Sequence, residues 1–460
     1  MSSAARTVAR RLSRPPGTIL LWALAMVATA WFFARVLLPA VGFDSFGFAS
    51  YYTAARLVVS GELDARIYDN AWFQERERAL GLRNDIYGHQ PPTMALLMLP
   101  VAWLPPAVAR ASWLALDLLW LLLIGVLAAR SAASLGGRAT LATVALMLLL
   151  VALFRPLHAE LRYAQVHTLM ALWYAVWLYG FVSGRDWLCG AALALLALAK
   201  LAGAPLWLLL LVAGRWRALF WAAALAGAGF MGTLPLVGVG TWQAYLFGRV
   251  GDLAANPVFG VTALQTLTSL LRQLFVFDAA YTPAPLLHAP GIATALWIAA
   301  TAALLVPTLA GARRRPRLLA GAAMLCLVVP TQPAGEQHHY VMLLTPFFVA
   351  LLLAHKDVLA GVLSPQSMQG RAEQVAVRQA VPGGATGIDR ARGPRLALLL
   401  AGIGAALMLT PNYFLDNAAW AGWPRALLAY PRLYGALLLW GAFICWPAHP
   451  APRSEPPPAP

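Results

Sequence analysis

Acidic side chains are the scarcest chemical groups in this sequence, and seven of the 18 lie in one short stretch, residues 41–90. Asp44 stands apart from the other six because it directly follows an apolar run and lies among phenylalanines, in VGFDSFGF. An apolar setting raises the pKa of a carboxyl towards the range in which it acts as a general base. Asp44 is therefore the candidate catalytic base. The alternative is that this short polar residue only caps the helix that follows.

A second group, Glu336 with His338 and His339, lies between two apolar runs. Ionisable residues at that depth are costly to bury and by default indicate function. Adjacent histidines face different sides of a helix, so they make a poor two-ligand metal site, and we expect no metal. The pair suits hydrogen bonding or charge donation to an anion, with Glu336 setting the tautomer. The alternative is a pair of side chains that reach up to lipid headgroups.

Two isolated cations extend this candidate anion site. Lys200 lies within the apolar stretch ALAKLAGAP, and Arg162 lies in LRYAQVH. An unpaired ammonium in such a stretch is expensive, so Lys200 needs an anionic partner, either a lipid phosphate or a neighbouring carboxylate. No GxxxxGK[ST] loop occurs, and no GxGxxG follows a strand. A phosphate substrate must therefore be reached from the membrane itself.

Composition indicates the elements that position these groups. Of the 460 residues, 60% are hydrophobic and 11% are charged, against about 25% charged in soluble domains. The net charge of +16 is scattered between apolar runs, which is not the pattern of a nucleic-acid-binding face. Apolar runs long enough to cross a bilayer recur and predict an all-α, polytopic transmembrane helical bundle of roughly 11–13 spans. Residues 93–104, bracketed by prolines, either cross or only dip into the membrane.

The first outer loop, 41–92, predicts two interfacial helices, Phe46–Ser60 and Ala71–Leu80, with Gly61 ending the first. Arginines before the first apolar run and at Arg313–Arg317 predict the cytoplasmic face, because cytoplasmic loops are rich in basic residues. The loop 41–92, Lys200 and the histidine pair then fall on the outer face. The domain boundaries follow in chain order: a multi-span core at 1–355, a polar cytoplasmic connector at 356–395, C-terminal transmembrane helices at 396–447 and a disordered tail at 448–460.

Several segments resemble glycosyltransferase family 87, in the multi-span C superfamily, over about residues 15–355. The first outer loop carries DSFGFASYYTAARLVVSGELDARIYDNAWF and then YGHQPPTMALLMLPVAWLPP. Four later matches follow in the family's order, namely RYAQVHTLMAL, WLCGAALALLALAKLAGAPLWLLLL, VTALQTLTSLLRQLF and VVPTQPAGEQHHYVMLLTPFF. The sequence departs from the family pattern at Ala164 and His167, which replace Gly and Asn, and at the spacing between Asp44 and Tyr51.

The resemblance implies an inverting hexosyltransferase that moves a sugar, first of all mannose, from a polyprenyl phosphate to a lipid or glycan acceptor. It implies no cofactor, since the lipid-linked sugar is a co-substrate, and it implies an active site on the outer face of the bacterial plasma membrane. The roles it implies are as follows: Asp44 is the base, Lys200, His338, His339 and Arg162 bind the donor phosphate, and Gln165, Gln265, Glu336 and Tyr52 bind sugar or acceptor.

A lipid or solute transporter with a proton relay through Glu336, His338 and His339 is the alternative. Transporters usually contain two related halves. The acidic, aromatic loop after the first span has no later counterpart in the chain, which favours the transferase.

Overall fold

The computed structural model describes residues 16–43, 45–88, 90–250, 256–354 and 387–447. Within these ranges the regular structure is helical, apart from two isolated β-bridges. The predicted all-α class is therefore confirmed. Asp44, the tail 448–460 and all of the predicted connector before Gly387 lie outside the described residues.

The described residues of the first half form ten helices. They are α1 (Pro16–Phe32, continued by a π-helical turn Phe33–Leu37 and by Leu38–Val41), α2 (Phe48–Ser60), α3 (Asn70–Ala79), α4 (Pro106–Ala132), α5 (Leu141–Leu153), α6 (Arg155–Tyr163), α7 (His167–Ser183), α8 (Asp186–Lys200), α9 (Ala204–Val212) and α10 (Trp216–Val237).

The described residues of the second half form eight more helices, with four 3₁₀ turns among them. The helices are α11 (Val239–Gln243), α12 (Leu267–Phe275), α13 (Pro290–Gly311), α14 (Arg317–Leu327), α15 (Leu344–Ala354, preceded by a 3₁₀ segment Gln337–Leu343), α16 (Gly387–Leu409), α17 (Asn417–Trp420) and α18 (Pro431–Cys445). Helix α16 thus begins inside the segment predicted to be a polar connector.

Among the described residues, five helices are long and apolar enough to cross a membrane, or six if the bent pair α5–α6 counts as one span. The pair bends by 55°, just before Pro156, which cannot donate a backbone hydrogen bond within a continuous helix. Shorter apolar helices alternate with these spans. The protein is therefore a multi-pass membrane protein, and the count of 11–13 spans stays a prediction.

The first outer loop forms the two helices that were predicted. Helix α2 ends at Gly61, whose φ of +73° closes the helix in the left-handed region. The side chain of Asp69 caps α3 by accepting from the backbone N–H groups of Ala71 and Trp72. The aromatic side chains of α2 are buried within the protein, so this helix packs onto the bundle.

Residues 92–101 dip under α2 and return. They form two 3₁₀ segments, Pro92–Leu96 and Leu99–Val101, and about ten residues at 2 Å per residue are too short to span the bilayer core. The segment is held to α2 because the Tyr52 hydroxyl donates to the Leu104 carbonyl (2.6 Å) and Arg56 donates to the Ala102 carbonyl (3.0 Å).

The turns between the central helices divide into two sets at opposite ends of the bundle. Residues 164–166, 201–203 and 328–336 follow or precede α7, α8 and α14 at one end, and residues 184–185, 213–215 and 312–316 lie at the other. Helix α7 has 17 residues, a rise of about 26 Å at 1.5 Å per residue. The two sets of turns are therefore separated by about the thickness of a bilayer core.

We predict that these two ends face opposite sides of the membrane. Arg314 is exposed, the side chain of Asp64 is 46% exposed, and the two residues lie at opposite ends. Cysteines at these positions therefore report the two faces. In a Cys445→Ser background, which removes the exposed native thiol, a membrane-impermeant maleimide should label Asp64→Cys in intact cells. It should label Arg314→Cys only after permeabilisation. Labelling of both positions in intact cells, or the reverse pattern, would contradict the assigned faces.

Candidate active site

Glu160, His167 and Lys200 form a hydrogen-bonded chain across the ends of α6, α7 and α8. Glu160 is fully buried and its Oε1 accepts from the backbone N–H of His167 (2.6 Å), while its Oε2 lies 3.1 Å from His167 Nδ1. On the other side of the ring, Lys200 Nζ lies 2.9 Å from His167 Nε2. Three helices are thereby joined at one point.

The chemistry of these groups fixes the protons. A lysine ammonium only donates hydrogen bonds, so His167 Nε2 must accept from it, and His167 Nδ1 must carry the proton and donate to Glu160. His167 is therefore neutral, and Lys200 is held by a neutral acceptor. No carboxylate forms an ion pair with Lys200 among the residues that the structure describes. An ammonium has three N–H bonds, so two remain available to an anion.

The histidine pair lies against this chain. The rings of His167 and His339 are 4.1 Å apart between centroids, and those of His167 and His338 are 4.9 Å apart. His338 Nε2 lies 3.1 Å from Gln165 Oε1, so the amide oxygen accepts from the ring. On the other ring nitrogen, His338 Nδ1 lies 3.4 Å from Glu336 Oε2. The predicted residues Lys200, His338, His339, Gln165 and Glu336 therefore meet at one site.

Glu336 faces a space that solvent reaches. Its side chain is 53% exposed although the side chain of His338 beside it is 1% exposed, so the carboxylate lines an opening within the protein. The surrounding protein raises the pKa of Glu336, the Lys200 ammonium opposes that effect, and Asp85 adds to it. Glu336 is thus within electrostatic range of both Lys200 and Asp85.

Asp85 returns from the segment after α3 to the start of α2. Its Oδ2 accepts a hydrogen bond from the backbone N–H of Gly47 (2.6 Å). Burial raises the pKa of Asp85, while N–H donors from Ile86 and Gly47 oppose the shift. Gly47 has φ of +60°, and a Cβ there would lie 2.6 Å from Gln165 Cγ. Glycine at this position is what lets the outer loop approach Gln165.

Arg110 fastens the outer loop to the core. It is 4% exposed and donates to the carbonyl of Ala40 (2.6 Å), to Ser45 Oγ (2.6 Å) and to the carbonyl of Arg162 (2.7 Å). These three acceptors lie at the end of α1, in the loop and at the end of α6. Ser45 is occupied by this contact and by donation to the Tyr163 carbonyl, so it does not cap α2.

Three predicted site residues have other roles in the structure. Gln265 is buried, with Nε2 donating to the carbonyls of Thr262 (2.6 Å) and Ala429 (2.7 Å) and Oε1 accepting from the N–H of Arg432. Both of its N–H donors are used, which corrects the prediction that its amide orients sugar hydroxyls. It instead joins the 262–265 turn to α18.

The prediction that Tyr52 binds sugar or acceptor is also corrected, because its hydroxyl donates to the Leu104 carbonyl and its ring stacks on Phe48. Its neighbour Tyr51 faces the site, with the Lys200 ammonium 6.0 Å from the ring centroid. Arg162 is exposed and lies over the ring of Phe43 at 4.2 Å, a position at the edge of the site. Asp44 lies outside the described residues, so its role as a base stays a prediction.

The hydrogen bonds of Glu160, His167 and Arg110 hold the site together. The sequence alone did not identify these three as site residues. A signal for the first two was present, because a carboxylate and an imidazole seven residues apart, in AELRYAQVH, stand in a chain with only 18 acidic residues. Arg110 lies in the apolar helix α4. Its three acceptors are 52 to 70 residues away, and no local pattern indicates them.

The three histidines His167, His338 and His339 are also the group of residues that could hold a metal ion, with ligand atoms within 4.8 Å of one another. Both nitrogens of His167 are already bonded, one of them to an ammonium. A divalent cation would have to displace Lys200 and would be repelled by it. The arrangement therefore favours an anion.

We predict that Arg110→Lys destabilises the protein. A lysine ammonium at this depth cannot reach three separated acceptors, and a buried acceptor left without a donor costs about 1–3 kcal/mol. The thermal unfolding midpoint in detergent should fall clearly. Arg56→Lys is the matched control, because Arg56 makes one such bond, to Ala102, which lysine can replace. Equal midpoints for Arg110→Lys and the wild-type protein would contradict the role of Arg110.

Comparison with known proteins places the chain in a family. The family model of glycosyltransferase family 87 matches residues 89–331, more than half of the chain and including Glu160, His167 and Lys200. No curated protein sequence matches at a significant level.

Two solved structures of ArnT from Cupriavidus metallidurans are similar to this chain. The apo structure is 17% identical, with 96% of this chain and 76% of that chain covered and a TM-score of 0.38. The structure bound to undecaprenyl phosphate is 15% identical, with 93% and 76% covered and a TM-score of 0.41. On the match of the family model, and with a multi-pass helical fold, the chain belongs to glycosyltransferase family 87.

Proposed function

We propose that this membrane glycosyltransferase moves a sugar from a polyprenyl phosphate to a hydroxyl of a lipid or glycan acceptor. The proposed sugar is mannose, and the proposed place of transfer is the outer face of the bacterial plasma membrane. The family supports the transfer of a sugar. The donor class, the sugar and the face are the parts that we infer.

The observation that carries the proposal is the Lys200 ammonium, which is held by neutral His167 at the end of membrane-embedded helices. A cation fixed by a neutral acceptor keeps its full charge for a ligand. The ring of His339 packs on His167 beside it, so N–H donors of Lys200 and His339 can converge on one phosphate. The position at a helix end suits a substrate whose phosphate lies at headgroup level and whose chain lies in the bilayer.

The reaction places charge where these donors lie. The acceptor oxygen attacks the anomeric carbon and forms a new glycosidic bond, while the bond from that carbon to the phosphate oxygen breaks. The phosphate changes from a singly charged diester to a monoester with a second negative charge. Donors that are fixed before the reaction stabilise this developing charge with no reorganisation. Lys200 and the histidines therefore assist departure of the lipid phosphate. We propose a single inverting displacement.

The acceptor hydroxyl must lose its proton, and we propose that Asp44 accepts it. Asp85 is the second carboxylate for this role, because it lies against Gly47 and acts electrostatically on Glu336 beside Lys200. Both residues belong to the outer loop that Arg110 holds over the helix ends. Glu336 is suited to contact the sugar or acceptor from the opposite side of the opening.

The alternative function is a transporter with a proton relay. The contact between Glu336 and His338, continued by the adjacent ring of His339 at 4.6 Å between centroids, favours it. The two functions differ in a purified system. Sugar transfer in detergent needs no gradient, whereas a relay requires a vesicle with two compartments.

We predict that purified protein in detergent transfers radiolabelled mannose from polyprenyl-phosphate-mannose to extracted membrane acceptors, and that Lys200→Gln lowers the rate about 10- to 100-fold. This is the effect of losing about 1.5–3 kcal/mol for a hydrogen bond to a charged group. His339→Ala should also reduce transfer. The double variant should lose less than the sum of both, because the two groups act on one anion.

Glu160→Gln should lower transfer through Lys200. The N–H₂ group of glutamine would donate to His167 Nδ1, so the ring proton would move to Nε2. The protonated Nε2 would then face the Lys200 ammonium and could no longer accept a hydrogen bond from it. Combined with Lys200→Gln it should add little. The matched control is Arg272→Gln, an outer-loop cation remote from the histidines in the chain. Gradient-driven uptake in vesicles with no sugar transfer, or full activity of Lys200→Gln, would overturn the proposal.

The base is tested by two isosteric variants. We predict that Asp44→Asn lowers transfer by roughly two orders of magnitude or more, as loss of a general base does. Asp85→Asn should cost less than tenfold, because the amide oxygen can still accept from Gly47. The reverse result would assign the base to Asp85. In that case the rate of the wild-type protein should fall with decreasing pH already above the ordinary carboxyl range, since the pKa of Asp85 is raised.

A further inference from the structure

Four arginines line one cavity at the end of the bundle opposite the candidate active site. Arg215, Arg313, Arg315 and Arg317 surround a space of about 460 Å³, with Phe181 on its wall. These residues lie in the turns that connect α7 to α8, α9 to α10 and α13 to α14, or at their edges. The length of α7, about 26 Å, separates the cavity from the chain of Glu160, His167 and Lys200.

The cavity holds more positive charge than its carboxylates neutralise. Asp186 pairs with Arg215, accepting from Nε at 2.8 Å. It is the one carboxylate among the described residues that forms an ion pair with these arginines. Three guanidinium charges remain, and three charges of one sign around one space are unfavourable unless an anion shares it.

Backbone carbonyls orient two of the remaining arginines without cancelling their charge. Arg313 Nε donates to the carbonyl of Val212 (2.5 Å), and Arg315 donates to the carbonyls of Phe443 (3.0 Å) and Trp446 (2.5 Å). A guanidinium has five N–H donors. Each therefore keeps donors that the described part of the protein does not use.

Arg317 is the arginine of this group that most strongly indicates a bound anion. It is the first residue of α14, and a cation at a helix N-terminus is unfavourable because of the helix dipole. Within the described ranges its side chain has no hydrogen-bond or ion-pair partner. The stability of α14 does not explain this arginine, but an anion bound in the cavity would.

Two exposed tryptophans indicate that the cavity lies at the depth of the lipid headgroups. Trp187 and Trp216 are 57% and 64% exposed, and each is adjacent in sequence to a member of the pair Asp186–Arg215. Tryptophan is enriched at the boundary between hydrocarbon and headgroups. The apolar face of α10 continues from there, with Phe220 also exposed. A guanidinium cluster at headgroup depth beside an exposed apolar helix matches the two parts of a phospholipid.

We propose that this cavity is a binding site for the headgroup of an anionic phospholipid, and that three uncompensated guanidiniums select a headgroup with two phosphates over one with a single phosphate. Basic pockets between transmembrane helices on the cytoplasmic side recognise such headgroups, and anionic lipids are abundant in that leaflet. The site is separate from the transfer site and does not rest on the proposed function. The bound lipid would join α7, α8, α10 and α14 at the cytoplasmic ends.

The test uses the full-length protein in a neutral detergent, with thermal unfolding and native mass spectrometry as readouts. Cardiolipin should raise the unfolding midpoint and remain bound to the protein, phosphatidylglycerol should do so at higher concentration, and phosphatidylcholine should have no effect. The variant Arg313→Gln/Arg317→Gln should weaken cardiolipin binding by roughly tenfold or more, as expected for the loss of charge-assisted hydrogen bonds. Both side chains are exposed, so we expect the variant to fold.

Arg138→Gln is the matched control, because Arg138 is an exposed arginine in the turn between α4 and α5, on the same face and outside the cavity. It should bind cardiolipin like the wild-type protein, and Arg317→Lys should retain part of the binding. Equal binding by the cavity variant and the Arg138→Gln control would overturn the proposal. Stabilisation by inorganic phosphate as strong as that by cardiolipin would overturn the assignment to a lipid and indicate a site for free phosphate.

Discussion

The bond between the Lys200 ammonium and a neutral His167 is the interaction on which the candidate site depends. A lysine at the end of an apolar helix costs desolvation free energy unless a partner pairs with its ammonium. A carboxylate would satisfy it, but would also cancel the charge. Here the buried Glu160 stands one imidazole further away, so it fixes the ring proton and stabilises the cation without contacting it. The site thereby keeps a cation ready for a ligand.

The same arrangement joins three helices. Glu160 lies near the end of α6, His167 begins α7 and Lys200 ends α8, so the chain of hydrogen bonds holds these helix ends together. The histidine pair comes from a fourth segment and packs against His167. Arg110 then ties the outer loop to the end of α6. The loop is consequently held over the cation, and Gly47 and Asp85 reach Gln165 and the opening beside Glu336.

The two ends of the bundle use positive charge in different ways. At the end with the candidate active site, a single ammonium and three histidines face a loop that carries many of the carboxylates of the chain. At the other end four arginines meet one carboxylate, Asp186. Arginine has a planar set of donors suited to phosphate and stays charged when partly buried. A lysine held by histidine is a compact donor suited to charge that develops on one oxygen during a reaction.

The amino-acid sequence by itself determined the fold class, the elements of the outer loop and most members of the site. Apolar runs make transmembrane helices because an unsatisfied backbone cannot lie in lipid, and Gly61 ends the first loop helix through local geometry. Lys200, Glu336 and the histidines were identified because ionisable residues in apolar segments are costly to bury and by default indicate function. Each of these arguments uses neighbours in the chain.

Only the tertiary structure decided which partner each side chain has. Gln265 and Tyr52 stand in segments that match the family and were assigned to substrate, yet their polar groups bond to Ala429 and Leu104, which are 164 and 52 residues away. The same holds for Lys200, whose alternatives were a carboxylate or a lipid phosphate, and whose actual partner is a histidine 33 residues away. Hydrogen bonds are short-ranged and directional, so a side chain's role depends on which atoms the fold brings within about 3 Å. Spacing along the chain contains no such information once helices pack against each other.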